Sequence, residues 1–241
     1  MKWFPREMDL GRYGKIRFRN LVKKSMLKVR FFEENQKPNI LCLGAHPDDI
    51  EIGCGGTILR LIEEVPKALF YWVVFSGGEI RGNEACESAK VFLEKVKAKK
   101  IDVQDFRESY FPFIGVKIKD YFEKLKNEYS PDIVFTHYAN DAHQDHRLIS
   151  SLTWNTFRDH FIIEYEVPKY DGDLGNPNLY VYLNESHVER KIGFLCKVFQ
   201  TQKKKQWFDE ETFRSILRIR GVESNSPSNY AEAFYCRKII L

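Results

Sequence analysis

The run Asn39–Gly44, NILCLG, passes without a break into Ala45-His46-Pro47-Asp48-Asp49 and then into Ile50–Gly56, IEIGCGG. Six mostly apolar residues are the length of a strand buried on both faces. The polar set that follows sits where such a strand leaves the sheet. Further along, Pro131–His137 (PDIVFTH) repeats the pattern and runs into Tyr138-Ala139-Asn140-Asp141-Ala142-His143-Gln144-Asp145-His146. Between and beyond them, strands and helices alternate. Ala68–Phe75 reads as a second buried strand and Ile101–Phe106 as a third. Helical spacing covers Gly55–Glu64, Glu84–Val96, Gly115–Tyr129 and Gln144–Phe157. Unpunctuated apolar strands separated by helices predict an α/β fold: a Rossmann-like, doubly wound, mostly parallel sheet with helices on both faces.

The last third is more mixed. Phe161–Val167 and Leu179–Leu183 read as strands. Asn184 reads as the cap of a helix over His187–Phe199. A further helix is expected over about Asp209–Arg220, then a loop over Gly221–Asn229 and an apolar end, Tyr230–Leu241.

Composition sets the frame. The 241 residues are 43% hydrophobic and 30% charged, which excludes a disordered chain or a small disulfide scaffold and gives enough length for a full core. Residues 1–37 carry 11 Lys/Arg against four acids, so this segment holds +7 of a total of +4 and the other 204 residues sit at −3. The body of the protein is therefore no polyanion binder, and no nucleic-acid partner is expected. Residues 1–37 read as a basic extension, helical from about Asn20, ahead of a domain over 38–241. No apolar run approaches the length of a membrane span, and the N-terminus lacks the apolar core of a signal peptide. Five widely spaced cysteines with no CxxC point to a reducing compartment, and a cytoplasmic location is expected.

In a sheet of this class, ligands bind beyond the C-terminal ends of the strands. Parallel strands bring both polar sets to that edge. His46 and Asp49 are three apart, so one turn can point both inward, leaving Asp48 free to meet a water molecule. His143 and His146 are also three apart, with Asp145 between; one imidazole can bind a metal while the other faces a substrate. Two histidines, a carboxylate and an open position make a catalytic zinc site, and Asp48 beside the water is a candidate general base. His137 ends a strand and can line the same edge.

The segments AHPDDIEIGCGG at 45–56 and AHQDHR at 142–147 resemble the LmbE/PIG-L-like family of metal-dependent N-deacetylases. Supporting stretches are Ser76-Gly77-Gly78-Glu79 with Arg81 and Glu84, then Lys191, Thr201-Gln202, Arg220-Gly221 and Tyr230-Ala231-Glu232-Ala233-Phe234, so the likeness runs over about 38–238. The resemblance implies a zinc enzyme that removes the acetyl group from an N-acetylglucosamine-type amino sugar carried on a nucleotide, lipid or glycoside. It implies His46, Asp49 and His146 as metal ligands and Asp48 as the base. It implies His143, as imidazolium, as the group that stabilises the oxyanion, with Asp145 orienting and charging it. Arg81 and Glu84 become candidates for gripping the substrate. Asp141 stands where some members use a tyrosine on the substrate, so it is expected to meet the substrate too. Gln144 replaces a frequent proline.

Two other readings use the same residues. The glycines of Gly53–Gly56 resemble the cofactor turn of an S-adenosylmethionine-dependent methyltransferase, but that reading leaves His143, Asp145 and His146 without a role. A zinc amidohydrolase of non-sugar amides keeps the site and changes the substrate. Oligomeric state is left open.

Overall fold

The computed structural model describes residues 7–9, 15–17, 26, 28–33 and 35–240. The chain divides into two compact units, 1–31 and 32–241. In the first, strands β1 (Glu7–Asp9) and β2 (Lys15–Arg17) pair antiparallel. The helix expected from about Asn20 falls largely outside the described residues.

The second unit holds a seven-stranded sheet. Its strands are β3 (Asn39–Gly44), β4 (Leu69–Val74), β5 (Ala98–Val103), β6 (Ile133–His137), β7 (Phe161–Tyr165), β8 (Leu179–Leu183) and β9 (Tyr230–Cys236), in the order β5-β4-β3-β6-β7-β9-β8. The first five run parallel, while β9 pairs antiparallel with β7 and with β8. The helices are α1 (Asp49–Glu64), α2 (Gly78–Phe92), α3 (Gly115–Glu128), α4 (Gln144–Thr156), α5 (Glu185–Val198) and α6 (Glu210–Glu223). The chain winds outward from β3 through β4 to β5, then returns to start β6 on the other side of β3. That reversal is the topological switch point, where a crevice opens at the strand ends.

Side-chain alternation along each strand sends residues to opposite faces. Leu41, Leu43, Tyr71 and Val73 pack under Ile118 and Phe122 of α3 and Ile149 of α4. On the other face Trp72 meets Phe92 of α2, which meets Phe194 of α5. Each fully buried aromatic or aliphatic side chain contributes about 1.5–3 kcal/mol of apolar burial, which fixes the strand ends that carry the site.

Several boundaries differ from the sequence reading, among them helix α2, which is Gly78–Phe92 and not Glu84–Val96. The third parallel strand is Ala98–Val103, not Ile101–Phe106. It is an edge strand, and exposed Lys99 and Lys100 break its apolar pattern, as edge strands do. Helix α1 begins at Asp49, six residues before the expected start. The glycines therefore lie inside this helix and not in a cofactor turn. A Cβ on Gly53 would fall 2.1 Å from the Tyr165 ring, and one on Gly56 would fall 2.5 Å from Leu183. They let α1 lie close against β7 and β8.

Candidate metal centre

The two polar sets do converge. β3 delivers His46, Asp48 and Asp49, while β6 and the start of α4 deliver His137, Asp141, His143, Asp145 and His146. His46 Nδ1 lies 3.1 Å from His146 Nε2 and 3.5 Å from Asp49 Oδ2, and His146 Nε2 lies 3.4 Å from Asp49 Oδ1. Ligands held at about 2.0–2.1 Å in a tetrahedron stand about 3.3 Å apart. The two ring nitrogens have that spacing from each other, and each has it from one of the two Asp49 oxygens.

The outer ring nitrogens explain why. His46 Nε2 is 3.1 Å from Asp145 Oδ2, and His146 Nδ1 is 3.0 Å from Asp141 Oδ2. Each imidazole donates its outer N–H to a carboxylate, so the inner lone pairs face one another and Asp49. This arrangement orients histidines on a metal and raises their basicity. Its electrostatics also suit a cation. Despite the cost of burial, Asp145 and Asp49 raise the proton affinity of His46 to a pKa of about 10. Burial, followed by the neighbouring His137, lowers His146 to about 3 and keeps that ring neutral.

The carboxylates are themselves tied down. Asp145 Oδ2 accepts the Ser109 N–H at 2.6 Å and Oδ1 accepts that of Phe111 at 3.2 Å. Asp141 accepts the His143 N–H at 2.8 Å and pairs with Lys169 Nζ at 3.0 Å. The contacts of two carboxylates differ from those expected. Asp145 meets His46, and only its backbone N–H reaches His143. Asp141 is buried against His146 and Lys169, with both of its carboxylate oxygens engaged by protein groups.

His143 contributes its ring to the start of α4. Its Nδ1 accepts the Asp145 N–H at 3.2 Å, as the N-cap of α4. A nitrogen that accepts carries no proton, an arrangement that favours the neutral ring with its proton on Nε2. Burial and the neighbouring His46 lower its pKa in the same direction.

Asp48 has three marks of a working group. Its φ is 96°, a left-handed conformation that costs a non-glycine residue roughly 1–3 kcal/mol. Its Oδ2 is buried without a hydrogen-bond partner. Burial, then the adjacent Asp49 charge, raises its pKa to about 7. The residue lines a cavity of about 220 Å³ together with His46, Asp49, Arg81, His143 and His146. Arg81 is held there by Glu108 Oε2 at 2.5 Å and the Pro47 carbonyl at 3.1 Å, 3.8 Å from Asp48 Oδ1. Glu84 is not in the cavity lining. It accepts from Thr201 N and Oγ1, joining α2 to the turn after α5.

His137 is wholly buried beneath the centre. It stacks on His146 with ring centroids 3.9 Å apart, and its Nε2 accepts the Ala45 N–H at 2.9 Å. With Asp49 and His146 it could also group around an ion, as could His46, His143 and His146. The backbone bond occupies its lone pair, so it serves as a support. The late sequence motifs prove to be scaffold for α1. Lys191 Nζ reaches the Ile52 carbonyl and Glu232 Oε1, both at 2.6 Å, while Glu232 accepts the N–H groups of Gly56 and Thr57. Arg220 forks onto Glu166 with two bonds of 2.7 Å. Lys169 escaped the sequence reading. Its only signal is position, since it follows β7 at the same sheet edge.

Among the described residues no helix is long and apolar enough to cross a membrane. Residues 41–157 match the family model described as PIG-L: GlcNAc-PI de-N-acetylase. The uncharacterized deacetylase YaiS of Escherichia coli K12 is 28% identical over 177 residues, which span 68% of this chain and 91% of that protein. Diacetylchitobiose deacetylase of Thermococcus kodakarensis is 29% identical over 125 residues, spanning 47% of this chain and 46% of that protein. In fold, the conserved protein TT1542 of Thermus thermophilus superposes with a TM-score of 0.68 at 18% identity, covering 85% of this chain and 96% of the other. The stretch that builds the site, residues 41–157, is thus the part of the chain that is similar to the PIG-L (LmbE-like) family.

Proposed function

We propose that the protein hydrolyses the N-acetyl group of an N-acetylglucosamine-type amino sugar conjugate, releasing acetate and the free amine. The domain that does so is residues 38–241, with 1–37 as an extension. His46, Asp49 and His146 would hold one divalent metal, and two imidazoles with one carboxylate suit zinc. The observation that carries this reading is the approach of two imidazole nitrogens to each other and to the two oxygens of Asp49 at 3.1–3.5 Å, beside an unpartnered Asp48 oxygen. A bound zinc supplies Lewis acidity, polarising a carbonyl and lowering the pKa of water.

The chain's own residues do the rest. Asp48 takes a proton from the attacking water through its free oxygen and returns it to the departing nitrogen, so that no net proton is lost. His143 Nε2–H donates to the amide oxygen as negative charge builds there. Asp145 and Asp141 hold the two ligand rings in place. Arg81, fixed by Glu108, offers its remaining N–H groups to sugar hydroxyls.

The test is acetate release from a panel of N-acetylglucosamine conjugates by zinc-loaded protein, with Asp48→Asn as the blank. Release that depends on Asp48 is the expected result. Absence of release from every conjugate overturns the reading.

A further inference from the structure

The mouth of the cavity carries groups that the reaction above leaves unused. After β7 the chain runs Pro168-Lys169-Tyr170-Asp171. After α5 comes Lys203-Lys204-Lys205-Gln206-Trp207. The two loops meet at the cavity, where Tyr170, Asp171, Lys205 and Trp207 share the lining with Asp48 and His143. The Gln206 N–H donates to Tyr170 Oη at 3.3 Å. The rings of Tyr170 and Trp207 stand edge to face with centroids 6.5 Å apart. Tyr170 is nevertheless 71% exposed. An aromatic ring held in place by backbone but left open to water is a flat apolar surface ready for a ligand, at little cost in conformational entropy.

Charge at this mouth is unevenly satisfied. Arg81 is paired with Glu108, and Lys169 with Asp173 at 2.6 Å and Asp141 at 3.0 Å. Among the described residues Lys203, Lys204 and Lys205 make no ion pair. Lys205 Nζ instead lies 5.3 Å from the centre of the Trp207 ring. Among the described residues, Asp171 is the one carboxylate of the rim lining not already paired, and Lys205 is the one lining cation without an ion pair.

We propose that this rim is a subsite for an anionic group, a phosphate or a carboxylate, on the moiety attached to the amino sugar. Lys205 receives the anion, and the Trp207 and Tyr170 rings form the wall on which the sugar or its attachment lies. The inference rests on the deacetylase reading and narrows its substrate class. A cation at the mouth of a partly enclosed cavity attracts an anion more strongly than one on an open surface, because solvent screens it less.

The experiment uses the full-length, zinc-loaded protein and follows acetate release from N-acetylglucosamine 1-phosphate, from the carboxymethyl glycoside and from the uncharged methyl glycoside. The phosphate and carboxymethyl arms tell which anion is preferred. At least one charged substrate is expected to show a KM about tenfold or more below that of the methyl glycoside, the size of one charge-assisted hydrogen bond. Lys205→Gln should abolish that difference with kcat within about twofold, and Lys205→Arg should restore most of it. Trp207→Ala should raise KM for all three substrates. Equal KM values in the wild-type protein, or a charged-to-neutral ratio that Lys205→Gln leaves unchanged, overturn the inference while the deacetylase reading stands. No acetate from any of the three overturns both.

Discussion

Asp145 and His46 are 99 residues apart in the chain, and Asp145 Oδ2 sits 3.1 Å from His46 Nε2. The same carboxylate is held by two backbone N–H groups of the 109–111 turn. One loop thus fixes the tautomer of a histidine supplied by another. Asp145→Asn keeps the shape and removes the charge. Metal affinity, measured by competition with a chromogenic chelator, should fall about 10- to 100-fold. An unchanged affinity would remove Asp145 from the centre.

Asp48 combines a strained backbone with an unpartnered oxygen. Asp48→Asn should lower acetate release by about 10²–10⁴-fold while bound metal stays near one per chain. Asp48→Gly tests the strain itself. Relief of the left-handed conformation, less the entropy that glycine adds to the unfolded chain, should leave a gain of about 1 kcal/mol. That corresponds to a Tm about 2–4 °C higher, with activity lost. A lower Tm would show that the conformation is not strained.

Gly53 and Gly193 both lie inside helices, and the same substitution should act oppositely on them. A Cβ at Gly53 would overlap the Tyr165 ring at 2.1 Å, and Tyr165 cannot retreat easily because its hydroxyl bonds the Leu43 carbonyl at 2.6 Å. Gly53→Ala should destabilise by about 1–3 kcal/mol or more. A Cβ at Gly193 meets nothing within 4 Å. Gly193→Ala should stabilise by about 0.5–1 kcal/mol through helix propensity. Urea unfolding of both variants reads the two signs.

Lys191 and Glu232 are buried together, each about 2% exposed in its side chain. Lys191→Met leaves Glu232 charged without its partner and should cost about 3–5 kcal/mol in urea unfolding. Adding Glu232→Gln removes the stranded charge and should recover more than half of that loss. A double variant as unstable as the single one would mean that the cost lies in packing.

Much of the fold is legible in the chain because buried parallel strands are continuous apolar runs. Asn39–Gly44 and Leu179–Leu183 have the bounds that their sequence implies, and Asn184 caps α5 as expected, its Oδ1 accepting the His187 N–H at 2.8 Å. The edge strand Ala98–Val103 departs from its expected place because its exposed lysines imitate a loop. The start of α1 is hidden because Asp48 to Gly53 reads as a polar turn, when in fact the turn is a single left-handed residue followed at once by helix. At the site, spacing brings His46, Asp49 and His146 together. It does not tell which carboxylate serves which ring, since Asp141 lies in the loop after β6 and Asp145 in the first turn of α4, only four residues apart. Lys169, Tyr170, Lys205 and Trp207 leave no motif, because loops that meet at a sheet edge carry no periodicity.

The account depends on two strand-exit loops sharing one metal ion, and anomalous X-ray diffraction from a zinc-soaked crystal tests that most directly. The expected result is a single strong peak about 2.0–2.3 Å from His46 Nδ1, an Asp49 oxygen and His146 Nε2. A peak elsewhere, or none at this centre in a protein that still releases acetate, would contradict it.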